Sequence, residues 1–162
     1  GANEVVLREM NRPNYLSDLQ ALTKRLGIGD RVVFTGYYPS DSDQGSMYLR
    51  AADACVLPFH EGVMLNRSSV AAATAHGLPL ITTKGETLES PFINGKNVLL
   101  CPPQNATLLA AAIKCVVSDP GLRQQLHLGA LQLAHDWFSW DKTVERTLET
   151  FAHSVARMSL VR

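Results

Sequence analysis

The sequence predicts an α/β fold in which helices flank a mostly parallel sheet, and three observations carry that expectation. Short β-favouring runs alternate with helical stretches of about ten residues, the order that builds βα units. Glycine or proline punctuates the joints, at Gly27, Gly36, Pro58, Gly77 and Pro102-Pro103. The 162 residues, 46% of them hydrophobic, have the length and apolar content of one compact domain, so residues 1–162 are expected to form a single unit.

Leu16, Leu19, Leu22 and Leu26 recur at helical spacing and stop at Gly27. Val32-Val33-Phe34 reads as a strand closed by Thr35-Gly36, and residues 44–52 as a helix. Residues 54–57 give the next strand, ended by Pro58. Residues 67–76, alanine-rich between Asn66 and Gly77, predict a helix with a polar start. Leu80-Ile81-Thr82 is a buried strand, and residues 97–100 form another that Pro102 ends, since proline donates nothing to a ladder. Leu108, Leu109, Ala112, Ile113, Val116 and Val117 line one helix face. Asp119-Pro120 opens a second helix with a cap and a proline at its first position, and Ser139 caps a third. That last helix repeats Val144, Leu148, Phe151 and Val155, a stripe suited to packing. Trp137 and Trp140 are expected in the core.

Fifteen basic and fifteen acidic residues leave no net field to recruit nucleic acid or an anionic membrane, so any anion site must be local. Cys55, Cys101 and Cys115 sit in apolar runs without metal-ligand spacing, which predicts buried, unpaired thiols in a reducing compartment and no zinc. No apolar run reaches the ~18 to 20 residues of a membrane span, and no signal-peptide pattern opens the chain. The expected location is the cytoplasm.

Parallel sheets bind ligands beyond the carboxyl ends of their strands, which directs attention to the loops after Gly36, Pro58 and Thr83. The loop after Pro58 carries His60, Glu61 and Gly62. The helix it feeds opens with Arg67, Ser68 and Ser69, where unpaired backbone N–H groups and the helix dipole favour a phosphate. Each residue also has an ordinary reading. Glu61-Gly62 can be a solvated turn, Arg67 a surface ion pair, Ser68 and Ser69 plain caps, and His60 a solvent-facing ring. His76 suits a helix end, where a cation complements the dipole. Tyr37 and Tyr38 can flank a nucleobase or simply pack, and Lys84-Gly85-Glu86 forms a turn that can reach sugar or phosphate.

The order of Arg31-Val32-Val33-Phe34-Thr35-Gly36, Ala51-Ala52-Asp53-Ala54 leading to Pro58, Glu61-Gly62, Ala75-His76-Gly77-Leu78-Pro79, Asn94-Gly95-Lys96-Asn97 and Trp137-Phe138-Ser139-Trp140 resembles the group-1 family of retaining glycosyltransferases with the two-lobed GT-B fold. The resemblance covers nearly the whole chain and implies the Rossmann-like C-terminal lobe of such an enzyme. It implies a nucleotide diphosphate sugar as donor substrate, no cofactor and no metal fixed by the protein. An absent N-terminal lobe would bind the acceptor, and it leaves open peripheral membrane contact through that lobe. The site it implies has Glu61 and His60 in catalytic positions and Gly62, Val63, Met64, Arg67, Ser68 and Ser69 at the donor, with the Gly62 to Met64 backbone facing the sugar. Gly36, Tyr37 and Tyr38 lie toward base or ribose.

Two departures from the family pattern stand out. The family pairs two glutamates with seven residues between them, the second on the ribose; here the span from Glu61 to Gly77 is three residues longer and Ala72 stands in that second place. The diphosphate-binding arginine and lysine of the family belong after the lobe's first strand, which is expected to precede Gly1, so the 162 residues alone are expected to give no turnover. Two alternatives share the fold: a non-catalytic nucleotide-sugar binding module, and a non-hydrolysing sugar-nucleotide epimerase, whose glutamate and histidine constellation is not evident.

Overall fold

The computed structural model describes residues 14–39 and 41–159. Contacts within the chain divide it into two compact units, Gly1–Gly45 and Ser46–Arg162. In the first, α1 (Tyr15–Arg25) follows the leucine periodicity and closes as expected, the N–H of Gly27 donating to Lys24 O and that of Ile28 to Thr23 O. Val32 to Phe34 corrects the sequence reading, because no strand forms there. After a 3₁₀ turn (Gly29–Arg31) the chain is irregular through residue 39, and Val33 is 81% exposed. A β-favouring run becomes a strand only against a neighbour, and no ladder pairs with this one among the described residues.

In the second unit β1 (Cys55–Leu57), β2 (Leu80–Thr83) and β3 (Leu99–Cys101) form a parallel sheet in that order, with Val56 beside Ile81 and Thr82 beside Leu100. Helix α2 (Gln44–Ala51) precedes β1, and α3 (Ser68–Ala75) links β1 to β2. After β3 come α4 (Ala106–Ser118), α5 (Pro120–Leu133), a π-helical turn (Ala134–Phe138) and α6 (Trp140–Ser159). This is the predicted class, a parallel sheet flanked by helices. β2 is the central strand and all four of its residues are buried. Its successive side chains leave on opposite faces. Leu80 joins Val70 and Ala73 of α3 in one core cluster, and Ile81 joins Val116 of α4 and Leu126 of α5 in the other. Enclosing a side chain such as Leu80 contributes ~1.5 to 3 kcal/mol, so the central strand anchors both layers.

The predicted caps form. Asp119 accepts from Leu122 N–H at 2.9 Å with Pro120 at the first helical position, and Ser139 Oγ accepts from Lys142 N–H at 3.3 Å. The third strand begins two residues later than expected because Asn97 closes a turn, accepting from Ile93 N–H at 2.8 Å and donating to Pro91 O at 2.7 Å. Trp137 and Trp140 are not core residues. Trp140 is 82% exposed on the same stripe as Val144, Leu148 and Phe151, also exposed, and Trp137 stacks under the Arg146 guanidinium at 4.0 Å.

All three cysteines are free, but their burial differs: Cys101 is buried, Cys55 half-buried and Cys115 exposed. Cys115 corrects the expectation of burial. Leu109, Ala112, Ile113 and Val116 are the α4 residues that reach the core, and Cys115 shares the outer face with exposed Leu108. Burial pushes the Cys55 and Cys101 thiols up, and Cys101 Sγ donates to Thr82 O at 3.4 Å, so both are poor thiolates. Native protein is expected to show one fast-labelling thiol, abolished by Cys115→Ser, and two slow ones that become fast on unfolding. Fast native labelling of Cys101, read by mass spectrometry, would contradict this packing.

Candidate functional site

The carboxyl ends of β1, β2 and β3 carry three loops, 58–67, 84–98 and 102–105. The first two cross backbone to backbone. Gly62 lies at φ +92°, and a Cβ there would strike Gly85 N and approach Gly85 Cα to 2.6 Å; a Cβ on Gly85 would strike Glu61 O. Two further ties hold the first loop down. Val63 N–H donates to Thr83 O at 2.9 Å while its side chain enters the core, and Leu65 N–H donates to Glu89 Oε2 at 2.6 Å.

Arg67 is the N-cap of α3, in extended conformation at φ −87° and ψ 107°. Its side chain folds back over the Phe59 ring at 4.9 Å and Nη2 donates to Glu61 Oε2 at 3.2 Å. Nε is buried and meets no acceptor among the described residues. The ion pair is partly solvated, the Glu61 side chain being 74% exposed, which limits it to ~0 to 1 kcal/mol. Ser68 and Ser69 are exposed at the start of α3, and their N–H groups precede the first intrahelical bond, from Val70 N–H to Arg67 O at 3.0 Å.

A cleft of about 430 Å³ lies beside this loop, lined by His60, Glu61, Met64, Gly85, Glu86 and Thr87 with Pro103. A second, of about 320 Å³, continues from His60 past Phe59 and Thr83 to Asn105. The structure thus brings His60, Glu61, Gly62, Met64 and Arg67 to one sheet edge, while Val63 offers neither side chain nor N–H to the cleft. Gly36, Tyr37 and Tyr38 belong to the first compact unit, where Tyr37 is exposed and the Tyr38 ring sits against Gly45. Ala72 lies in α3, and its carbonyl accepts from His76 Nδ1 at 2.8 Å; His76 Nε2 meets Ser46 Oγ at 2.8 Å. Both His76 nitrogens are therefore engaged, Nδ1 within the last turn of α3 and Nε2 on Ser46 of α2. Sequence reasoning missed Phe59 under Arg67 and Glu89 on Leu65. Both act through contacts formed only in the folded loop, and a glutamate 24 residues away carries no local signal.

A parallel sheet flanked by helices is the architecture of the lobes of the GT-B class, and solved structures of that class share it. The sucrose-phosphate synthase of Thermosynechococcus elongatus superimposes with a TM-score of 0.71 at 26% identity, over 91% of this chain and 35% of its own. Anabaena HepE, solved with UDP and glucose, gives 0.72 at 19% identity over 89% of this chain and 38% of its own, a likeness of fold. Residues 8–119 match the family described as glycosyl transferases group 1, and the chain belongs to that family. Among curated relatives, the glycogen synthase of Mycobacterium tuberculosis is 35% identical over 104 residues, 64% of this chain and 24% of its own length. The D-inositol 3-phosphate glycosyltransferase of Acidothermus cellulolyticus is 31% identical over 141 residues, 85% of this chain and 30% of its own. The chain spans about a quarter to a third of these relatives. Among the described residues no helix is long and apolar enough to cross a membrane.

Proposed function

We propose that this chain is the donor lobe of a retaining glycosyltransferase: it holds a nucleotide diphosphate sugar whose sugar passes to an acceptor on a second, N-terminal lobe. The observation that carries this reading is the placement of Arg67, Ser68 and Ser69 at the start of α3, beside Glu61, at the carboxyl edge of the sheet. Family membership supports it, as does the UDP-glucose complex solved for the structural neighbour HepE.

The chemistry follows from charge. As the bond from sugar to diphosphate breaks, negative charge grows on the departing phosphate, and fixed N–H groups with a guanidinium stabilise that charge without reorganising. Arg67 presents a planar fork suited to phosphate oxygens. Glu61 and His60 face the sugar across the larger cleft, and Met64 lines it beside them, on a loop that Gly62 lets cross Gly85. The reaction is placed in the cytoplasm, in keeping with three free thiols.

The test is nucleotide binding by the full-length protein, titrated with UDP, GDP and ADP in a calorimeter. Arg67→Ala is expected to weaken the preferred nucleoside diphosphate by roughly 1.5 to 3 kcal/mol, the range for hydrogen bonds to charged groups, with circular dichroism unchanged. Equal affinity in the variant would return Arg67 to the role of a surface residue and remove this reading. One observation favours a second reading, a non-catalytic nucleotide-sugar module: Ala72 stands where the family's ribose glutamate would. Tight binding with neither transfer nor donor hydrolysis would select it.

A further inference from the structure

We infer that Glu61 is an internal stand-in for phosphate: without donor its carboxylate occupies the Arg67 guanidinium, and the donor diphosphate must displace it, releasing Glu61 toward the sugar. The inference rests on the donor reading above and assigns that site a built-in exchange.

The geometry supports it from three sides. Glu61 Oε2 lies 3.2 Å from Arg67 Nη2, and a carboxylate meets a guanidinium through the same donor fork that takes phosphate oxygens. The backbone is held at both ends of the contact. Gly62 crosses Gly85 and Val63 N–H is bonded to Thr83 O, which sets Glu61, while Arg67 is held by its place at the cap of α3 and by Phe59. The pairing is also incomplete. Glu61 satisfies a single guanidinium donor, and the buried Nε finds no acceptor among the described residues. A diphosphate brings several oxygens and more charge to the same fork, so the exchange runs in its favour.

The position of Glu61 gives the exchange a consequence. Glu61 lines the cleft with His60, Met64 and Gly85, where the proposed sugar lies. Held on Arg67, Glu61 has one oxygen committed to the guanidinium; released, it is an unpaired acceptor facing sugar hydroxyls. Glu61 becomes available only when the diphosphate is seated. The two roles of Glu61 and Arg67, read separately in the sequence, become one coupled event.

A double-mutant cycle tests this, with UDP, GDP and ADP titrated into the full-length wild type, Glu61→Gln, Arg67→Ala and the double variant, each checked for its fold by circular dichroism. Removing the competing carboxylate is expected to tighten the preferred nucleoside diphosphate about two- to fivefold, the weight of a partly solvated ion pair. In the Arg67→Ala background the same substitution is expected to change affinity by less than about 1.5-fold, because the pair is already gone. Unchanged or weaker binding by Glu61→Gln overturns the exchange, as does an equal gain in both backgrounds, which would show bulk charge at work. Failure of the donor reading looks different: no nucleoside diphosphate binds the wild type, or Arg67→Ala leaves affinity intact, and the exchange falls with it.

Discussion

Gly62→Ala is expected to destabilise the fold by roughly 2 to 5 kcal/mol, the sum of overpacking and backbone strain, and to abolish nucleotide binding. Two independent effects act at this position. The φ of +92° lies in the region that L side chains rarely adopt, and an added Cβ would drive into Gly85 N and Cα. The obstacle is backbone on a loop anchored by Lys84 N–H donating to Cys101 O at 2.9 Å, so it cannot swing aside as a side chain would. The neighbouring glycines separate the two effects. Gly85→Ala meets Glu61 O without a positive φ, whereas Gly95→Ala at φ +74° has nothing within 4 Å of the new Cβ. Urea denaturation should therefore rank Gly62→Ala as most damaging, Gly85→Ala next at about 1 to 3 kcal/mol and Gly95→Ala least at about 1 kcal/mol. Equal losses for Gly62→Ala and Gly95→Ala would show that the loops do not cross tightly and that the loop at 58–67 has another support.

The parts of the fold that were legible in the sequence are those fixed by local chemistry. Asp119-Pro120 and Ser139 announce helix starts because the cap lies within three residues of the N–H it serves. The apolar run Leu80-Ile81-Thr82 announces a central strand because both of its faces must be covered. The misreadings arose where a local pattern waited on a distant partner. Val32-Val33-Phe34 has strand chemistry and no ladder, and Trp140 has core chemistry on a helix face that the described residues leave open. The site shows the same division. Glu61, Arg67, Ser68 and Ser69 were visible as residue types at the end of a strand and the start of a helix. That Glu61 and Arg67 touch, that Phe59 lies beneath the guanidinium, and that Glu89 fastens Leu65 depend on how three loops fold over one another.

The same dependence on distant partners predicts an inverted sign at Gly129. Glycine in a helix interior is about 1 kcal/mol worse than alanine, so propensity alone expects Gly129→Ala to stabilise α5. The packing forbids it. An added Cβ would enter Lys96 O and come within 2.7 Å of Asn97 Cα, because α5 lies directly on the turn at residues 93–97. That turn cannot retreat. Asn97 bonds across it to Ile93 N–H and Pro91 O, Gln125 Nε2 of α5 donates to Gly95 O at 2.8 Å, and Phe92 and Val98 on either side are buried in the core beside Leu80. Overpacking against backbone is worth about 3 kcal/mol at the upper end of its range, which leaves a net loss of about 2 kcal/mol after the gain in propensity. For a domain of this size that is a fall in Tm of roughly 4 to 8 °C. Thermal melts of Gly129→Ala showing a Tm at or above wild type would mean that α5 stands off the turn at residues 93–97 and does not dock on it.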